Sequence, residues 1–261
     1  MITKIDRNYI RNLVKEGLRV DGRKFEETRN LVVEVNTVSS AEGSATVKLG
    51  DTEVIVGVKM ELGEPFPDTP DEGVMIVNAE LGPIASPEFE TGRPGEEAVE
   101  LARVVDRGIR ESKAIDFGKL CIEEGEKVWI CAIDIQVINH DGNLIDASGI
   151  GAIAALLTTR IPEYRDGEIN RDKLVGKLPV SLIPIPCTVA KIGEKLVVDP
   201  SLEEEESMNA RLTITAFDGK LCAMQKGASG SFTTDEVKKS IEMALKSIEE
   251  RKKIVEKAIK S

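Results

Sequence analysis

Apolar residues recur at helical spacing in some stretches of this chain and gather in β-branched or alternating runs in others. Over residues 5–17, Ile5, Tyr9 and Leu13, with Ile10 and Val14, fall three or four positions apart, and Gly17 is a natural C-terminal stop. β-branched segments follow at 31–38, 44–49, 52–60 and 74–81, with Gly50-Asp51 as a hairpin turn. Segments 63–73 and 82–95 are rich in Pro, Gly, Glu and Asp and read as loops. Over 96–116, Ala98, Leu101, Ala102, Val105 and Ile109 make one apolar stripe of a helix. A strand is predicted over 128–139, a turn at Asp141-Gly142, and a buried helix rich in small residues over 148–160. Strands recur over 180–192, 195–198, 211–216 and 221–226, with Asp218-Gly219 as a second hairpin turn. The last element, 235–260, is a long amphipathic helix. Thr233 and Glu236 fit a capping box, and Val237, Ile241, Leu245, Ile248, Val255 and Ile259 form its buried stripe.

A strand hairpin followed by a long helix occurs twice, at 44–60 then 96–116 and at 211–226 then 235–260. This suggests a duplicated module, although no residue-level repeat is visible. Strands cluster between helices rather than alternating with them, so the expected class is α+β, with mixed sheets covered by helices. Residues 1–170 are expected to hold an N-terminal extension and the first half. Residues 171–261 hold the second half and the C-terminal helix of the same domain.

Composition narrows the chemistry. The 261 residues include 35 Lys and Arg against 46 Asp and Glu, a formal charge of −11. A generally basic coat for nucleic acid is excluded, so any anionic ligand needs a local patch. No run approaches the roughly 18 apolar residues of a membrane span, and the first residues lack the apolar core of a secretory leader, which predicts a cytoplasmic protein. Cysteines at 121, 131, 187 and 222 form no Cys-x-x-Cys pair and read as small, reduced core residues. His140 is the only histidine, which leaves little for a catalytic triad or a histidine-based metal site.

Four patterns remain as candidates. Gly149-Ile150-Gly151-Ala152-Ile153-Ala154 matches a dinucleotide fingerprint formally, but it stands about nine residues beyond the preceding strand, inside an apolar helix. Close helix packing is the better reading. Glu203-Glu204-Glu205-Glu206 reads as solvated surface, because adjacent carboxylates do not converge on one cation. The Gly17-x-Arg19-x-Asp21-Gly22-Arg23 run reads as a structural turn with surface charges. Arg103, Arg107 and Arg110, spaced i, i+4, i+7, share the helix face opposite the apolar stripe. Such a cluster is either a salt-bridged face, using Glu100, Asp106 and Glu111, or a set of guanidinium forks for phosphates.

The Gly17–Arg23 turn, the strand at 43–50, the segment Glu100-Leu101-Ala102-Arg103-Val104-Val105-Asp106-Arg107, residues 129–146 and Val198-Asp199-Pro200-Ser201 together resemble ribonuclease PH-type subunits. The resemblance covers nearly the whole chain and is closest to the non-catalytic ribonuclease PH-like subunit of the archaeal exosome. It implies a duplicated β-α-β fold of the ribosomal-protein-S5-second-domain kind. It also implies a hexameric ring in which the chain alternates with a catalytic homologue, carries RNA-binding cap subunits, and handles single-stranded RNA for phosphate-dependent 3′-to-5′ degradation. By the same resemblance Arg103 and Arg107, with Arg110 on the same face, are expected to bind RNA.

Active relatives carry Asp-(Gly/Ala)-Gly-(Ser/Thr)-Arg at the turn before the buried helix, where hydroxyl and guanidinium hold phosphate. Here the turn reads Asp141-Gly142-Asn143-Leu144-Ile145, and neither Leu144 nor Ile145 can pair with a phosphate. Two aspartates six positions apart in active relatives correspond to Glu205 and Arg211, and a guanidinium at the second position opposes a divalent cation. The expectation is a chain without catalytic residues, cofactor or metal. A self-sufficient phosphorolytic 3′-to-5′ exoribonuclease is the rival reading, and Leu144, Ile145 and Arg211 oppose it.

Overall fold

A computed structural model describes residues 4–165 and 167–260. It opens with helix α1 (Lys4–Lys15). Strands β1 (Leu31–Val35), β2 (Gly43–Leu49), β3 (Thr52–Gly63) and β4 (Val74–Leu81) follow, then helix α2 (Glu96–Ser112). A short 3-10 turn, Phe117–Leu120, leads into β5 (Cys121–Glu123), β6 (Lys127–Asn139) and helix α3 (Leu144–Thr158). Next come the hairpin β7 (Arg160–Arg165) and β8 (Glu168–Lys177), then β9 (Ile185–Ile192), β10 (Lys195–Val198) and the short helix α4 (Leu202–Ser207). β11 (Ala210–Phe217), β12 (Lys220–Gly227) and helix α5 (Thr234–Lys260) complete the chain.

The first sheet runs β1-β2-β3-β6-β4, with β5 paired to β6. It is mixed, because β4 lies parallel to β6 while its other pairs are antiparallel. The second sheet, β10-β9-β11-β12, is wholly antiparallel. α3 contacts β2 and β3 of the first sheet and β9 of the second. Surrounded in this way, it is made largely of apolar and small residues on every face, and Ala147 to Leu156 are buried without a break. The formal dinucleotide fingerprint therefore lies inside a packed helix. α2 packs on β4 and against β11 and β12, while α5 packs on β9, β11 and β1, so one continuous core joins both sheets. The α+β class expected from the pattern is the observed one.

Several boundaries differ from the sequence reading. The helix predicted from 148 begins at Leu144, because Asn143 takes a left-handed φ of 56° as its N-cap and the apolar pair Leu144 and Ile145 packs on the core as the first turn. Left-handed residues also stop β1 after Val35 (Asn36, φ 58°) and α2 after Ser112 (Lys113, φ 55°). β9 starts only at Ile185, since prolines at 179 and 184 interrupt the apolar run. The hairpin β7–β8 was not predicted: β8 is mostly polar and, apart from the half-buried Ile169, exposed, so it lacks the alternation that marks a half-buried strand. In α1 the buried residues are Ile10 and Val14, which pack on Ala190, Ile192 and Val197, whereas Tyr9 is exposed. Ile5 was also assigned to that stripe, but its side chain lies outside the described residues.

Candidate functional site

The turn at 141–143 is pressed against the backbone of 200–202. A Cβ at Gly142 (φ +87°) would stand 2.5 Å from the Leu202 nitrogen, so only glycine fits. This contact brings two aspartates together. Asn143 Nδ2 donates to Asp146 Oδ2 at 2.8 Å and to Asp199 Oδ1 at 2.7 Å. Asp146 also accepts from the Thr188 backbone N–H and hydroxyl, and from Arg251 Nη1 at 2.6 Å. Asp199 receives Arg29 Nη2 at 2.7 Å and Arg23 Nη1 at 3.1 Å. Burial disfavours its ionised form, yet the Arg29 guanidinium overrides that and holds the carboxyl well below the usual range.

The Gly17–Arg23 turn lies at the surface as expected, but its two arginines point inward rather than out. Arg19 is buried and grips Glu204 through two parallel bonds, Nε to Oε1 at 2.8 Å and Nη2 to Oε2 at 2.6 Å. Its remaining donors reach the carbonyls of Val198 at 3.0 Å and Asp199 at 2.9 Å. The reading of the four glutamates as solvated fails at the same contact. They form α4, with Ser201 and Glu204 as a capping box, and Glu204 is buried against Arg19. A charge run turns into a helix here because the cap and the arginine satisfy it.

Leu144, Ile145, Glu205 and Arg211 are the positions expected to differ from active relatives, and among the described residues they join no cluster of three or more potential metal ligands. Leu144 and Ile145 are half-buried against the core, and Ile145 lines a small apolar crevice with Val105, Ile109, Pro186 and Thr215. Glu205 is half-buried, and desolvation pushes it up to about 7 although Arg211 and the Asn143 N–H favour its charge. Arg211 is spent on another carboxylate, donating from Nη2 to Glu100 Oε1 of α2 at 2.7 Å. Glu205 beside the Arg211 guanidinium is a poor ligand for a divalent cation, and the nearby Asp146 and Asp199 are taken up by Arg251, Asn143 and Arg29.

The three arginines of α2 do lie together, lining one groove with Val77, Glu100, Asp106 and Gln225. Their freedom differs. Arg110 pairs with Asp106 at 2.8 Å, donates to the Met75 carbonyl at 3.1 Å and lies over the Phe117 ring. Arg107 makes one side-chain hydrogen bond among the described residues, a long one to Gln225 Oε1 at 3.5 Å. Arg103 is exposed and has no hydrogen-bond or ion-pair partner among the described residues. Two of the forks are thus available to an anion, and the third is largely occupied.

Sequence reasoning missed Arg251, Asp146, Arg19 and Arg29. A signal existed for Arg251, which interrupts the apolar stripe of α5 between Ile248 and Val255 at helical spacing. No local signal distinguishes Arg19 from a surface arginine, because its partner is 185 residues away. His140, the single histidine, stacks on Phe89, and burial lowers its pKa.

Comparison with known proteins fits this arrangement. Residues 27–162 match the model of the 3′ exoribonuclease family, domain 1, and residues 183–247 that of domain 2. The chain is 53% identical to exosome complex component Rrp42 of Thermococcus kodakarensis, over 99% of this chain and 97% of that one. It is 52% identical to the protein of the same name from Methanocella arvoryzae, over 94% and 93%. Among solved structures, a chain of the Archaeoglobus fulgidus exosome with RNA bound to the active site superposes with a TM-score of 0.89 at 47% identity, covering 95% of this chain and 97% of that one. A chain of an archaeal exosome core gives 0.86 at 45% identity, covering 96% of both. This chain belongs to the 3′ exoribonuclease, or ribonuclease PH, family.

Proposed function

We propose that the chain is a non-catalytic ring subunit of an exosome, working in the cytoplasm beside a catalytic ribonuclease PH-type homologue and holding single-stranded RNA for phosphate-dependent 3′-to-5′ degradation. The observation that supports this reading is the surroundings of the altered positions: Ile145 lines an apolar crevice and Arg211 is bound to Glu100, which favours neither phosphate nor cation there. Relatives at about half identity named as an exosome component, and a structural relative with RNA bound to its assembly's active site, support the ring and its substrate. Arg103 and Arg107 are the RNA contacts, and Arg110 chiefly braces α2 against β4.

At a charge of −11 the chain alone is a poor partner for RNA, so binding belongs to the assembled ring. Arg103→Ala with Arg107→Ala should leave assembly intact, because exposed substitutions of this kind usually stay within about 0.5 kcal/mol. Loss of two phosphate contacts should lower the salt slope of log affinity by about 1.4 for a single strand. RNA affinity against salt, measured on rings of verified mass, tests this. Mutant rings that match wild type would make the arginines a solvated helix face.

A further inference from the structure

Glu100 stands three residues before Arg103 and seven before Arg107 on α2, and it lines the same groove. A free carboxylate there would pair with Arg103 and repel an incoming phosphate. Instead its Oε1 accepts from Arg211, reaching across from β11 at 2.7 Å, and Arg103 stays unpaired among the described residues. The reach of Arg211 depends on its neighbour. Arg211 and Gly227 are opposite one another in the β11–β12 register, and a Cβ at 227 would stand 2.6 Å from Arg211 Nε and 3.0 Å from its Cγ. The guanidinium stem therefore lies across the bare backbone of Gly227 on its way to α2. The Arg211 side chain is 19% exposed against 41% for Glu100, so the contact is partly shielded from solvent.

We propose that Arg211 is a positioning residue for the arginine face: it draws the Glu100 carboxylate aside and leaves Arg103 and Arg107 free for the phosphates of RNA. The proposal rests on the reading of that face as the RNA contact. Without Arg211, Glu100 is released beside Arg103, where an i, i+3 pair forms and competes with the ligand. A residue placed where active relatives hold a carboxylate thus serves the groove.

The test uses rings assembled with the catalytic homologue and a fluorescently labelled oligoadenylate, with mass and melting temperature checked for every variant. Arg211→Gln keeps a stem across Gly227 without the charge, and should weaken binding about two- to fivefold, the range of an exposed ion pair. Adding Glu100→Gln to Arg211→Gln should restore binding to near the wild-type value, because no carboxylate remains to be held aside. A purely structural role would leave the double variant as weak as the single one, and that result overturns the proposal. Wild-type binding by Arg211→Gln overturns it too, provided the Arg103→Ala, Arg107→Ala ring binds weakly. If that ring binds normally, the reading of the face itself fails, which is a different outcome.

Discussion

Arg251 of the last helix donates to the Asp146 carboxylate, 105 residues away in sequence, at 2.6 Å in the buried centre of the protein. Asp146 is also held by Asn143 and Thr188, so one carboxylate ties α3, α5 and β9 together. Through Asn143 it connects to Asp199 and hence to Arg29 and Arg23. These charged groups form the ionic centre of the fold.

Arg251→Ala is expected to lower stability by about 3–5 kcal/mol, because it strips a buried carboxylate of its counter-charge. Urea unfolding of the purified chain measures this. A loss under about 1 kcal/mol would mean that Asp146 is satisfied by Asn143 and Thr188 without Arg251.

The elements with a clear period were legible: the hairpins around Gly50 and Gly219, α2 and α5 all lie within a few residues of where the apolar pattern puts them. What stayed hidden was decided by long-range partners. Nothing near Arg19 announces Glu204, and the four glutamates look solvated until that arginine and the Ser201 cap are supplied. β8 carries no apolar rhythm, because it is exposed on both faces. Of the candidate site, the shared face of the three arginines followed from spacing alone, whereas the capture of Arg110 by Asp106 and of Glu100 by Arg211 did not. A helical wheel offers each charge several partners, and tertiary packing selects one.

On the proposed register, Leu144→Ser with Ile145→Arg should not create phosphorolysis, although it supplies a hydroxyl and a guanidinium at the turn. On the same register Arg211 stands at the second carboxylate position, bound to Glu100, and residues that act as a unit are far from additive. Placing Arg where Ile145 lines an apolar crevice should also lower stability by about 1–3 kcal/mol. Thermal unfolding and a diphosphate-release assay check both parts; activity from this variant would mean that the catalytic register is assigned wrongly.

Glu205 gives a pH signature. Its pKa rises from the usual 4.5 to about 7 on folding, so the native state binds more protons than the unfolded chain between those values. Its ionisation therefore erodes stability as pH rises through that window. Glu205→Gln removes the effect, so the stability of the variant relative to wild type should climb by about 1–3 kcal/mol from pH 4.5 to pH 8. Comparing the two proteins cancels the opposite trends of Asp199 and His140. A pH-independent difference would place Glu205 in contact with bulk water.

The most direct measurement is release of nucleoside diphosphates from single-stranded RNA, with phosphate and magnesium present, by three homogeneous preparations: this chain alone, its catalytic homologue alone, and the ring of both. No release is expected from this chain alone. The ring should release diphosphates faster than the homologue alone if Arg103 and Arg107 hold the RNA as proposed. Phosphate-dependent release by this chain without the homologue would contradict the assignment of Leu144, Ile145 and Arg211 as a site that has lost its chemistry.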